Sequence, residues 1–163
     1  MKDKLAYNSV GLLLLMFVAI TGNKGFAAQE NSITLASEGK AMVDIVLPKN
    51  STVSQVYAAS ELNKYLNKIS KANFASRVQS NKSSIRLSPR KFSNPQAYEI
   101  EIKGGDVILP AGSDRSMLYA VYDFLGRLGC QWIAPDFEFY EASGEVIPQT
   151  SDLVFSLKSK VHE

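Results

Sequence analysis

An amphipathic run with a capping serine before it and a glycine after it, residues 113–129, constrains the fold of this chain more than any other feature. Leu118, Val121, Leu125 and Leu128 recur at spacings of three and four, which gathers them into one apolar stripe of a helix over 114–128. Ser113 or Asp114 caps the orphan N–H groups of the first turn, and Gly129 takes the left-handed conformation past the last one. Val107, Ile108 and Leu109 run extended before this helix, and residues 130–134 run extended after it. The unit reads strand, helix, strand, and the apolar stripe needs a sheet to cover.

A second unit of the same kind lies upstream. Residues 43–47 form a nearly continuous apolar run, as in a strand covered on much of both faces. Pro48 and Asn50 turn the chain, and Thr52 with Gln55 matches a capping box. The helix that follows has an apolar seam of Val56, Ala59, Leu62, Leu66 and Ile69, with Glu61, Lys64, Lys68 and Lys71 lying away from it as a solvated face. Tyr98, Ile100 and Ile102 alternate with Glu99, Glu101 and Lys103, and Gly104-Gly105 turns that strand back onto residues 107–109 as a hairpin. Residues 70–94 are polar and basic, a surface loop interrupted by a short strand at Ile85 and Leu87. Residues 153–157 alternate again, giving a last strand whose partner the pattern does not identify. The expected fold class is α+β, an α/β sandwich with a small, mostly antiparallel sheet and two helices packed on one face. Spare apolar side chains after Pro135 (Phe137, Phe139, Tyr140, Val146, Ile147, Phe155) point to a docking surface on the sheet's other face.

The chain of 163 residues is about one domain long. Its start has the layout of a secretory signal peptide: Lys2 and Lys4, an apolar run over 10–20, and the small-residue site Gly25-Phe26-Ala27. The run falls short of the roughly 20 apolar residues of a membrane span, so cleavage after Ala27 leaves no stable membrane anchor and a secreted or periplasmic protein. The expected organisation is a signal peptide over 1–27, a polar leader over 28–42, a domain over 43–148, and a connector strand and terminus over 149–163. Cleavage removes Lys2, Lys4, Lys24 and Asp3, which takes the formal net charge from +2 to zero. A neutral chain without interleaved aromatics in its basic loop has no footprint for nucleic acid.

Reactive side chains are scarce. His162 is the sole histidine and sits beside the terminus, so neither a zinc site nor a Ser-His-Asp set can be assembled, and no catalytic, metal or cofactor-binding residue is assigned. Cys130, the single cysteine, reads as a buried inert thiol next to the helix stop. Glycosidic hydrolysis needs two carboxylates about 5 to 10 Å apart across a cleft. Glu99 and Glu101 share the polar side of a strand and read as solvated, and Asp136, Glu138, Glu141 and Glu145 fall on loop or edge strand. The candidate glycan or partner contacts are Trp132, Phe137, Phe139 and Tyr140, with Trp132 read either as a core side chain or as a stacking ring.

Three blocks carry a family resemblance: Tyr57-Ala58-Ala59-Ser60-Glu61-Leu62-Asn63-Lys64-Tyr65-Leu66, then residues 111–125 around Leu118-Tyr119, and Leu128-Gly129-Cys130-Gln131-Trp132-Ile133-Ala134-Pro135. Over residues 43–148 the chain resembles the N-terminal domain shared by family 67 α-glucuronidases, family 20 β-hexosaminidases and related secreted bacterial proteins. The resemblance implies a small non-catalytic accessory domain ahead of a (β/α)8 barrel that carries the catalytic acids, in carbohydrate metabolism. It implies a glycoside-hydrolase barrel or a glycan as partner; a stand-alone carbohydrate-binding or protein-interaction module is the alternative. Ser116 and Ala120 stand where relatives often have glycine, which implies looser helix packing, and Gln131 stands where many have arginine.

Overall fold

The computed structural model of the chain describes residues 31–133 and 144–157. The expected signal peptide, together with Phe137, Phe139, Tyr140, Asp136, Glu138, Glu141 and His162, lies outside the described residues. The chain folds as β1 (Asn31–Ser37), β2 (Lys40–Ala41), β3 (Asp44–Val46), α1 (Val53–Ser70), β4 (Ser76–Arg77), β5 (Ser84–Pro89), β6 (Glu101–Lys103), β7 (Asp106–Ala111), α2 (Asp114–Arg127), β8 (Gln131–Trp132), β9 (Glu145–Val146) and β10 (Leu153–Leu157). The class is the expected small α+β fold with two helices.

A five-stranded sheet of order β4-β3-β5-β7-β6 forms the centre. Its pairings are parallel except that of β6 with β7, which is the hairpin turned by Gly104 and Gly105 at positive φ. Antiparallel pairing also joins β1 to β10 and β2, and β8 to β9, so the sheets are mixed and the central one is largely parallel. The reason is the crossover: α1 carries the chain from β3 to its parallel neighbours β4 and β5.

Register sorts the central sheet into two faces. Ile45, Ile85 and Val107 pair across β3, β5 and β7, and with Leu87 and Leu109 they form the inner face, all almost fully buried. Against it lie Ala58, Ala59, Leu62, Tyr65, Leu66 and Ile69 of α1 and Met117, Ala120, Val121, Phe124 and Leu125 of α2. At roughly 25 cal/mol per Å² of apolar area this layer contact is the main stabilising element of the fold. Two details differ from the sequence reading: Val56 is 52% exposed, whereas Glu61 is buried. The α1 seam is rotated by about one position, because α2 packs beside α1 and covers Glu61.

The outer face of the sheet carries ion pairs beside Val46 and Ile108, which share its register with Arg86. Arg86 pairs with Asp106 at 2.7 Å, Arg77 with Asp44 at 3.2 Å, and Arg90 with Glu99 at 2.8 Å and Glu101 at 2.7 Å. Three of the side chains on which the expected docking surface rests, Phe137, Phe139 and Tyr140, lie outside the described residues, and Val146 is 46% exposed. Phe155 is buried in the core and Ile147 packs against it, which removes two of the side chains on which that expectation rests.

The polar segment before Val43 is part of the folded unit. Ile33, Leu35 and Ala36 of β1 are buried, and β10 is its partner, with Ile33 opposite Phe155. The Phe155 ring meets Phe124 of α2 with centroids 4.6 Å apart, so this small sheet closes the core beyond β6.

Both helices start as the sequence dictates. Thr52 and Gln55 close a capping box on α1, and Ser113 and Ser116 close one on α2. Ser116 also donates to the Pro95 carbonyl at 3.1 Å, so the residue expected to loosen the helix instead ties its first turn to the preceding loop. Gly129, at φ 98°, ends α2 as expected.

Candidate functional site

The described side chains of greatest chemical interest gather where the β8–β9 ribbon lies against α1 and α2. Trp132 is brought there by the turn after Gly129, and the ribbon registers it opposite Glu145. It is 39% exposed, so it is neither a core ring nor a free surface one. Tyr65 from α1 and Tyr122 from α2 hold it edge to face, with centroids 5.3 Å and 5.0 Å away at 84° and 88°. Two such contacts contribute about 1 to 3 kcal/mol beyond simple area burial and fix the plane of the indole.

Hydrogen bonds complete the frame. The indole N–H of Trp132 donates to the Tyr65 hydroxyl at 2.9 Å, and that hydroxyl donates to Glu145. Lys68 pairs with the other Glu145 oxygen at 3.0 Å. Tyr122 donates to Glu61 at 2.9 Å, and Lys64 pairs with the second Glu61 oxygen at 3.2 Å. The ammonium groups of Lys64 and Lys68 also lie 4.9 Å and 5.0 Å from the Tyr65 ring. The lysine stripe read as a solvated face is thus engaged at two positions.

Electrostatics follow from these contacts. Burial, then the bond to Glu145, raises the Tyr65 phenol above its ordinary range; burial, then Glu61, raises that of Tyr122 further. The Tyr65 hydroxyl and then Lys68 hold the Glu145 carboxyl below the usual carboxylate range. The bond to Glu61 raises Lys64. Each shift favours the state that already hydrogen-bonds, so Glu145 is held as a carboxylate rather than poised as a proton donor near neutral pH. What the cluster offers a ligand is a partly exposed indole flanked by fixed donors and acceptors.

The other sites weighed in the sequence are less suited. Glu99 and Glu101 face one guanidinium, that of Arg90, rather than a cavity. Cys130 is buried and burial raises its thiol pKa, consistent with an inert side chain. Among the described residues no group of three His, Cys, Asp or Glu side chains could hold a metal, and no helix is long and apolar enough to cross a membrane.

One cleft of about 420 Å³ opens at the carboxyl ends of β5 and β7, beside the N-termini of both helices. Asp114 occupies that junction: its carboxylate accepts from Thr52 at 2.9 Å and Gln55 at 3.0 Å. The positive ends of the two helices are therefore already met by a carboxylate of the chain itself. Periodicity gives no signal for this residue beyond its capping role, because the link to α1 spans 59 positions.

No family model matches the chain, and no curated protein matches it. Among solved structures it is similar to a GH138 enzyme targeting pectin rhamnogalacturonan II, with a TM-score of 0.45 and 19% identity. The likeness covers 59% of this chain and 11% of that one.

Proposed function

We propose that this chain is a secreted, non-catalytic accessory domain of glycoside-hydrolase type that serves polysaccharide or glycan breakdown, with the surface around Trp132 as its glycan contact. The observation that carries the reading is the indole itself, 39% exposed yet fixed by two tyrosines and a hydrogen bond. A sugar ring has an apolar face and a polar rim, and a rigid aromatic surface bordered by Lys64, Glu61, Lys68 and Glu145 matches both. The resemblance of residues 43–148 to glycosidase N-terminal domains supports the same reading, as does the partnering of Glu61 and Glu145 by tyrosine and lysine. A second reading, a contact with a partner barrel, is favoured by Ile133 and Val146, which are 70% and 46% exposed on the same ribbon.

Calorimetric titration of the purified chain with xylan, chitin, pectic and host-glycan oligomers tests the proposal. The expected result is binding of at least one class, abolished by Trp132→Ala with the thermal transition retained. Absence of heat at millimolar concentration for every class ends the glycan reading. Hydrolysis of aryl glycosides that is lost on Glu145→Gln or Glu61→Gln ends the non-catalytic one.

A further inference from the structure

We propose that the cleft at the carboxyl ends of β5 and β7 binds a neutral, hydroxyl-rich ligand of monosaccharide size, with Asp114 as its fixed acceptor and Lys91 as its donor. The cleft holds about 420 Å³, within the range of small-molecule sites, and its walls consist of described residues. It stands outside the ends of two parallel strands, where α/β sheets generally receive their ligands. It shares no residue with the cluster around Trp132, so the inference does not rest on that surface.

Asp114 is held ready for such a ligand. One of its carboxylate oxygens accepts from the Thr52 hydroxyl at 2.9 Å and the other from the Gln55 amide at 3.0 Å. Both donors come from the start of the α1 unit, so the carboxylate is fixed from outside its own helix. Each carboxylate oxygen takes more than one hydrogen bond, which leaves acceptor capacity on both. Lys91 lines the same cleft, exposed and without a partner among the described residues. Pro89, Ala111 and Met117 add the apolar wall against which the face of a sugar ring can lie.

The lining also selects the class of ligand. An anion finds little left to attract it: Asp114 meets the helix ends, Thr52 and Ser113 cap them, and Arg90 is drawn to Glu99 and Glu101. A small cation meets Arg90 and Lys91, and an apolar ligand would strip water from Lys91 and Asp114 without replacing its hydrogen bonds. An uncharged ligand that both donates and accepts satisfies every group, and a sugar does this while offering an apolar face. The cleft is open to solvent and the ligand small, so the affinity is on the order of millimolar.

Proton–nitrogen correlation spectra of the purified chain, titrated with D-xylose, D-galactose and N-acetyl-D-glucosamine to about 50 mM and separately with potassium phosphate, test this. The expected result is a saturable shift, with at least one of the sugars, of the amides at 90–91 and 112–115 and of the Gln55 side-chain amide, and none with phosphate. Asp114→Asn keeps the shape but loses one acceptor oxygen, and is expected to raise the dissociation constant about tenfold. Lys91→Ala is expected to raise it about threefold, and Lys40→Ala, on the separate sheet of β2, to leave it unchanged. Sugar shifts confined to residues 131–133 and 145 overturn the cleft and spare the surface around Trp132; shifts confined to the cleft do the reverse. Cleft shifts with phosphate alone, no shift with any sugar, or a folded Asp114→Asn of unchanged affinity each overturn the proposal. If Asp114→Asn does not fold, unchanged affinity in Lys91→Ala overturns it instead.

Discussion

The indole N–H of Trp132 donates to the hydroxyl of Tyr65, 67 residues earlier in the chain, at 2.9 Å. The same hydroxyl donates to Glu145, so one phenol joins the two strands of the β8–β9 ribbon to α1. Tyr65→Phe keeps the ring and its contacts but strands the indole N–H and removes a donor from Glu145. The expected loss in urea unfolding is about 1 to 2 kcal/mol at unchanged m-value. In a double-mutant cycle with Trp132→Phe the two losses are less than additive, whereas additive losses would show that the hydroxyl does not couple them.

Glu145 gives the ribbon an acid dependence. Its carboxyl is depressed in the fold, by Tyr65 and then by Lys68, relative to an unfolded value of about 4.3. Its contribution is complete above that unfolded value and is lost as pH falls through the folded one. Indole fluorescence followed from pH 6 downwards is expected to report loosening only below about pH 4.3, and Glu145→Gln removes that step.

The same substitution has opposite effects at two glycines. A Cβ on Gly112 would sit 2.9 Å from the Pro95 carbonyl oxygen, with backbone atoms of Pro95 at 3.1 Å as well. Gly112→Ala must push that loop away, at a cost of about 1 to 3 kcal/mol. Gly126 lies within α2 with nothing near its Cβ position, so Gly126→Ala is expected to stabilise by up to about 1 kcal/mol. Thermal melts of the two variants should shift in opposite directions.

Phe124 has no exposed surface and joins α2 to β10 through Phe155. Phe124→Ala is expected to cost about 3 to 5 kcal/mol in chemical unfolding. A smaller loss would mean that the β1–β10 sheet collapses into the vacancy.

Local signals are legible in the chain. The Thr52–Gln55 capping box, Ser113 before α2, the Gly104-Gly105 hairpin and the stop at Gly129 are each set by a few neighbouring residues, and each is present. The phase of α1 departs from the periodic pattern at Val56 and Glu61, because which stripe is buried depends on where α2 lies. β1 escapes a reading by composition although Ile33 and Leu35 alternate with Ser32 and Thr34; a polar segment outweighs a short period-two pattern. The Trp132 cluster draws on α1, α2 and the ribbon, so of its members only Trp132 stands out in the sequence, through its chemistry rather than any spacing.

The pairing of β1 with β10 sets the timetable of folding. Asn31 lies opposite Leu157, so β1 cannot acquire its partner until the chain has been made beyond residue 157. The α1 and α2 units close over short distances and are positioned to form early, while β1 waits with Ile33 and Leu35 uncovered. Until β10 emerges, a nascent chain of this kind carries its risk of wrong association at β1, and the arrival of β10 relieves it.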